Sequence, residues 1–172
     1  MARKVYFAFH YQQDIWRVNV VRNSDITQED REAAGFYDGS LWEEAKKEGD
    51  EGIKRMINNG LRGTTVTIFL LGEYTANRPW VKYELERSWS RGNGLISVFI
   101  HNIENSQGYT SKKGGNILDN YSCTHNGTKY NLSNWFKTYD WVYGNGYENF
   151  GNWVEEAVEI ADDLKSKGIM PT

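Results

Sequence analysis

Thr64-Thr-Val-Thr-Ile-Phe-Leu-Leu71, bounded by Gly63 and Gly72, decides the fold. It is β-branched and nearly continuous in apolar character, which fits a strand covered on both faces and therefore central in its sheet. The chain then runs through Arg78-Pro-Trp-Val-Lys-Tyr-Glu-Leu-Glu-Arg87, where Pro79 suits the first turn of a helix because its missing N–H is not needed there. Outward from this strand–helix pair the alternation repeats. Residues 4–9 form a short aromatic and apolar strand, and 14–23 repeat apolar residues at helical spacing through Ile15, Val18 and Val21. Residues 33–38 form a weaker strand ended by the turn signal Asp38-Gly39-Ser40. Ile53, Met56, Ile57 and Leu61 trace a helix that Gly60 is placed to stop, and 95–100 form another buried strand. Residues 102–134 are polar and Gly-rich, longer than a connection needs, with room for a small hairpin. Residues 136–142 supply the last strand, and Tyr147, Phe150, Val154, Ala157, Ala161 and Leu164 mark one face of a long C-terminal helix. Because parallel neighbours need crossovers, this pattern predicts an α/β, doubly wound, mainly parallel five-stranded sheet. Its order is the flavodoxin-like 2-1-3-4-5, with helices on both faces.

In that order the first and third strands are adjacent and their connections diverge, so a ligand crevice is expected beyond their carboxyl ends. Three segments converge there: Phe9-His10-Tyr11, the stretch from Asp38 through Ser40 to Glu43, and the stretch from Thr75 to Glu84. Glu84 stands one helical turn beyond Trp80, about 6 Å along the axis at ~1.5 Å per residue, so both can face one ligand. Local spacing equally allows an ordinary ion pair between Glu84 and Arg87. Trp80 as core, His10 as a structural histidine, Asp38 as a turn residue and Ser40 as a helix cap are the bland alternatives. Glu43, Glu44, Lys46 and Lys47 read as an exposed helical face.

Composition narrows the classes. The chain has 172 residues, 20 Lys and Arg against 23 Asp and Glu, and a formal charge of −3 without a basic tract. One domain with a real core is expected, and neither nucleic acid nor an anionic membrane is an expected partner. One Cys cannot make an internal disulfide, two zinc-type clusters would need more than one Cys and three His, and His101 and His125 have no paired ligands, so no metal site is expected. The N-terminal apolar run is too short for a signal peptide or a span, which points to a cytoplasmic protein and makes the sequons at Asn126 and Asn131 chance matches. GxGxxG, Walker and GxSxG motifs are absent, and the enzymes built on them lose support.

Val5-Tyr-Phe-Ala-Phe-His10 resembles the opening strand of TIR domains, Phe36-Tyr-Asp-Gly-Ser40 falls where their second strand enters the BB loop, and Trp80-Val-Lys-Tyr-Glu84 resembles their W-x-x-x-E helix. Together with Trp16-Arg-Val-Asn-Val-Val-Arg-Asn23 and Ser40-Leu-Trp-Glu-Glu-Ala-Lys-Lys47, these segments resemble the TIR-like ThsB proteins of bacterial Thoeris anti-phage defence. The likeness runs from Lys4 to His101, fades through 102–134 and returns at Tyr139-Asp-Trp-Val142. It implies one TIR-like domain over residues 1–172 with an insertion at about 102–134. The Pro-Gly tip of the animal BB loop is missing, which argues against receptor–adaptor signalling.

The resemblance implies NAD+ cleavage, with NAD+ as substrate and no separate cofactor. It gives Glu84 the catalytic role and Phe9, His10, Tyr11, Asp38, Ser40 and Trp80 places in the substrate crevice. It further implies a cyclic ADP-ribose isomer as product, a diffusible signal to a ThsA-like effector, a phage component as trigger, and a homo-oligomer that completes the site. Breaking the ribose–nicotinamide bond builds oxocarbenium character that a carboxylate can stabilise, and nicotinamide departs neutral without a general acid. Two alternatives stay open: an N-glycosidic enzyme akin to nucleoside deoxyribosyltransferases, and a non-catalytic TIR-like interaction or sensing module.

Overall fold

The computed structural model describes residues 3–26, 31–36 and 39–172, with the side chains at 25–26, 31–33 and 39–40 excepted. Strand β1 (Arg3–Ala8) leads into helix α1 (Tyr11–Ile26) and strand β2 (Arg31–Ala34), followed by α2 (Gly39–Lys47) and α3 (Gly49–Leu61). Strand β3 (Val66–Leu71), a 3-10 turn at Thr75–Asn77, α4 (Pro79–Ser90) and β4 (Gly94–Phe99) complete the central part. A hairpin of β5 (Ser122–His125) and β6 (Thr128–Asn131), then β7 (Thr138–Asp140) and α5 (Gly146–Ser166), end the chain. The main sheet runs β2-β1-β3-β4-β7 with parallel pairing throughout, and β5 and β6 pair antiparallel apart from it.

The pleat splits the core into two layers. Tyr6, Ala8, Phe69, Leu71, Leu95 and Phe99 face α3 and α4 through Ile57, Leu61, Val81 and Leu85. Their neighbours Val5, Phe7, Ile68, Leu70, Ile96 and Val98 face α1 and α5 through Val18, Val21, Phe150, Trp153 and Val154. All six residues of β3 are buried, as are all six of β4, which is why their sequences lack the polar alternation of a one-sided sheet. A mixed α/β architecture with a parallel sheet follows directly from the alternation in the sequence.

Several local expectations shift. Gly60 lies inside α3 as its penultimate residue; the helix ends at Leu61, and Gly63, two residues beyond, takes φ +78°. Ser40 lies within α2 rather than ahead of it, so the cap reading does not hold. The last core strand is three residues long, shorter than the 136–142 run, and Tyr147 is exposed rather than part of the buried face of α5. The polar stretch 102–134 has a packed inner side: Ile117, Leu118 and Leu132 are buried in the same layer as Val81 and Leu85. Asn116 accepts from Ser97 (2.6 Å) and donates to Thr138 (2.7 Å), and Tyr121 reaches Glu86 on α4. The segment therefore braces the outer side of the helix that carries Glu84.

Candidate active site

A cavity of about 170 Å³ opens beyond the carboxyl ends of β1 and β3. The turn after β1 and the start of α1 supply Phe9, His10, Tyr11 and Gln12; α2 supplies Trp42, Glu43 and Lys46; the start of α4 supplies Arg78, Pro79, Trp80, Val81 and Glu84. Pro79 occupies the first turn of α4, and the helical spacing then brings Trp80 and Glu84 onto the same cavity wall.

The depth of Glu84 decides its character. It is 3% exposed, and burial pushes its carboxyl up to about 8, against a smaller downward pull from the neighbouring Tyr6 side chain. Tyr6 sits on β1, fully buried beneath α4 in the layer that holds Val81 and Leu85. The ion pair with Arg87 that sequence spacing allows does not form. Arg87 Nε instead donates to Asn58 Oδ1 at 3.0 Å, and Asn58 donates to the Tyr83 hydroxyl at 2.8 Å, tying α4 to α3 on a different side of the helix. The backbone of α4 is fixed from below as well. Ser88 donates to the Glu84 carbonyl (2.7 Å) and meets Thr67 of β3 at 2.7 Å, and Asn93 donates to Thr64 and Thr67. These buried bonds hold Glu84 at a fixed depth relative to the sheet.

His10 is buried at the cavity wall, and its imidazole is held below its ordinary pKa first by burial and then by the positive charge of Arg78. It is a neutral ring at neutral pH. Phe9 is buried and tilted against Phe36, while Tyr11 and Trp80 are half-buried and present ring surface to the cavity. Trp80 also meets Tyr83 edge-on, so its orientation is set from within α4. Of the sequence candidates, Glu84, Phe9, His10, Tyr11 and Trp80 come together; Asp38 and the side chain of Ser40 lie outside the described residues.

Residues 6–105 match the model of the family described as Thoeris protein ThsB, TIR-like domain. The chain belongs to this ThsB family. It is 37% identical over 191 residues, covering 90% of this chain and 100% of the relative, to the "Putative cyclic ADP-D-ribose synthase ThsB1" of Bacillus cereus (strain MSX-D12). Every residue that lines the cavity of this ThsB-family chain falls within the matched span, whereas the β5–β6 hairpin and α5 fall beyond it.

The ThsB-type site also contains groups that the sequence reading passed over. Glu43 and Lys46, read as part of a solvated face, stand at the cavity rim, where they pair at 3.2 Å. Trp42 is one helical turn before Lys46, and that spacing was the available signal. Arg78 lies in the Thr75–Glu84 stretch expected at the crevice but had no role of its own, Gln12 was hidden by its helix context, and Tyr6 by its place in an apolar strand. Among the described residues no group of three or more His, Cys, Asp or Glu is gathered for a metal ion, and no helix is long and apolar enough to cross a membrane.

Proposed function

We propose that this chain cleaves the N-glycosidic bond of NAD+ and closes the ADP-ribosyl group into a cyclic ADP-ribose isomer, with Glu84 as the catalytic carboxylate. One observation carries the reading: a buried carboxyl with an elevated pKa forms part of the wall of an aromatic cavity at the switch point of the sheet. The family membership and the name of the Bacillus cereus relative support the substrate and product class.

The chemistry balances with few groups. The bond between ribose C1′ and the pyridinium nitrogen breaks, its electron pair stays on nitrogen, and nicotinamide leaves neutral. The positive charge that develops on C1′ and the ring oxygen faces the Glu84 carboxylate. A nucleophilic group elsewhere on the same ADP-ribosyl unit then bonds to C1′ and releases one proton. Bound NAD+ brings a pyridinium cation to the cavity, which favours the ionised form of Glu84. In the free protein the carboxyl holds its proton up to about pH 8, so the same group has the proton affinity to accept the one released on cyclisation. Phe9, Tyr11 and Trp80 offer ring faces to flat substrate groups and limit water that would divert the reaction to hydrolysis. Asp38 and Ser40 belong to the same substrate crevice in this reading. No cofactor is needed beyond the substrate. The cyclic product serves as the signal to a ThsA-like effector in anti-phage defence, released after a phage component is sensed, and copies of the chain assemble to complete the site.

The test incubates wild-type and Glu84→Gln protein with NAD+ or a deoxynucleoside, with and without lysate from infected cells, over a range of protein concentrations. Products are followed by mass spectrometry. The expected result is Glu84-dependent loss of NAD+ with a cyclic product and free nicotinamide. NAD+ left intact in every wild-type sample, or consumed equally by both proteins, overturns the proposal; consumption of the deoxynucleoside alone moves the chain to the transferase class.

A further inference from the structure

Among the described residues that line the cavity, formal charges do not cancel. Glu43 is offset by Lys46, His10 is neutral, and Glu84 retains its proton at neutral pH, which leaves Arg78 as the uncompensated positive charge of that described lining. This occurs in a chain whose formal net charge is −3. Among the described residues the Arg78 guanidinium has no hydrogen-bond or ion-pair acceptor, although it lines the cavity wall and acts on His10 electrostatically. A guanidinium without a carboxylate partner beside a cavity presents a planar fork of donors suited to phosphate oxygens.

We propose that Arg78, assisted by Lys46, is the anion-binding group of this cavity and takes the pyrophosphate of a dinucleotide substrate. The inference deepens the NAD+ reading and rests on it for the identity of the substrate. Lys46 extends from α2 to the same cavity, and its exposed 3.2 Å pair with Glu43 is weak enough to be exchanged for phosphate. The N-terminal end of α4, which begins at Pro79, adds a partial positive charge at the same place. A pyrophosphate held there keeps the glycosidic bond one substrate length from the anchoring charge, within a cavity whose wall includes Glu84. Arg78 thereby selects dinucleotides over nicotinamide ribosides that lack phosphate. Its role is separate from that of Glu84, since it grips a group that does not react.

His10 offers a readout that needs no turnover. Inorganic pyrophosphate is titrated into the full chain while the His10 imidazole is followed by NMR across pH, beside Arg78→Gln, Arg78→Lys and Glu43→Gln. Tyr11, Glu43, Lys46 and Glu84 share the cavity with His10 and are present in every variant except where substituted. Pyrophosphate is expected to neutralise Arg78 and raise the His10 pKa in the wild type. Arg78→Gln should weaken pyrophosphate binding by roughly tenfold or more. Arg78→Lys should restore part of it, and Glu43→Gln, which frees Lys46, should strengthen it. An unmoved His10 titration in the wild type, or the same affinity in Arg78→Gln, overturns the inference. A second measurement compares kcat/KM for NAD+ with that for nicotinamide riboside, where Arg78→Gln should lower the ratio by about the same factor through KM. An unchanged ratio sinks the pyrophosphate assignment and leaves Glu84 untouched. Wild-type protein that cleaves neither substrate sinks the NAD+ reading, while the pyrophosphate titration still judges the anion site.

Discussion

Two buried carboxyl groups at the same end of the sheet, Glu84 and Asp14, have opposite surroundings. Each is 3% exposed. Asp14, in the first turn of α1, accepts from the Thr75 hydroxyl at 3.0 Å, and that hydroxyl in turn accepts from the Gly72 amide at 2.9 Å. The carboxylate lies so close to Gly72 that a Cβ there would meet its oxygens at 2.3 Å. Burial raises the Asp14 pKa, but Thr75 and the charge of Arg17 pull it back. Arg17 is itself held by the carbonyls of Ile103 (2.7 Å) and Tyr109 (3.0 Å). Asp14 thus latches α1 to the end of β3. Among the described residues Glu84 has only Tyr6 to offset its desolvation, and it borders a cavity. A buried acid whose needs are met by the fold stabilises the fold. One whose needs are left unmet beside a cavity is set to be met by a ligand.

The largest effect that separates the two is on turnover: Glu84→Gln should lower NAD+ cleavage roughly a hundredfold or more, measured as initial rates of nicotinamide release. Stability should move the other way. Between the ordinary carboxyl value of 4.5 and the folded value of about 8, the native chain keeps a proton that the unfolded chain has released, so stability falls as pH rises through that window. Glu84→Gln removes this penalty and should stabilise the protein at pH 8 by roughly a few kcal/mol, and hardly at all near pH 4, in denaturant melts at the two pH values. The same carboxyl predicts that kcat/KM for NAD+ climbs with pH up to about 8 and levels above it; a flat profile would break the link between proton affinity and catalysis.

Asp14→Ala should instead destabilise by roughly 1–3 kcal/mol, because it strips the latch of its acceptor. Activity lost with the melting transition unchanged would abolish the contrast between the two acids. The smallest effect belongs to Arg87→Gln, whose partner is Asn58 and not Glu84. Its cost should stay below about 1 kcal/mol, with the pH–rate profile unmoved, whereas a shifted profile would restore the ion pair that sequence spacing allows.

Much of this protein was legible before folding. The continuous apolar run of β3, the helical repeat of α5 and Pro79 at the first turn of α4 each express a local period or a local backbone preference, and each survives in the structure. Glu84, Trp80, Phe9, His10 and Tyr11 could be brought to one crevice because a parallel sheet sends successive strand ends to the same edge. Boundaries fared less well. Gly60 is carried inside α3 by the packing of Ile57 and Leu61, and residues 102–134, polar overall, hide Ile117, Leu118 and Leu132 among too few apolar positions to give a period.

The sequence by itself determined the alternation of strands and helices, the carboxyl-end crevice and the helical turn that joins Trp80 to Glu84. Each of these depends on neighbours in the chain. Tertiary structure alone decided that Arg87 turns to Asn58, that Tyr6 lies against Glu84, that Glu43 and Lys46 reach the cavity rim, and that Arg78 finds no acceptor among the described residues. The reason is physical: whether a charge is paired, buried or open depends on side chains brought from distant strands and helices, and the burial they create sets its proton affinity.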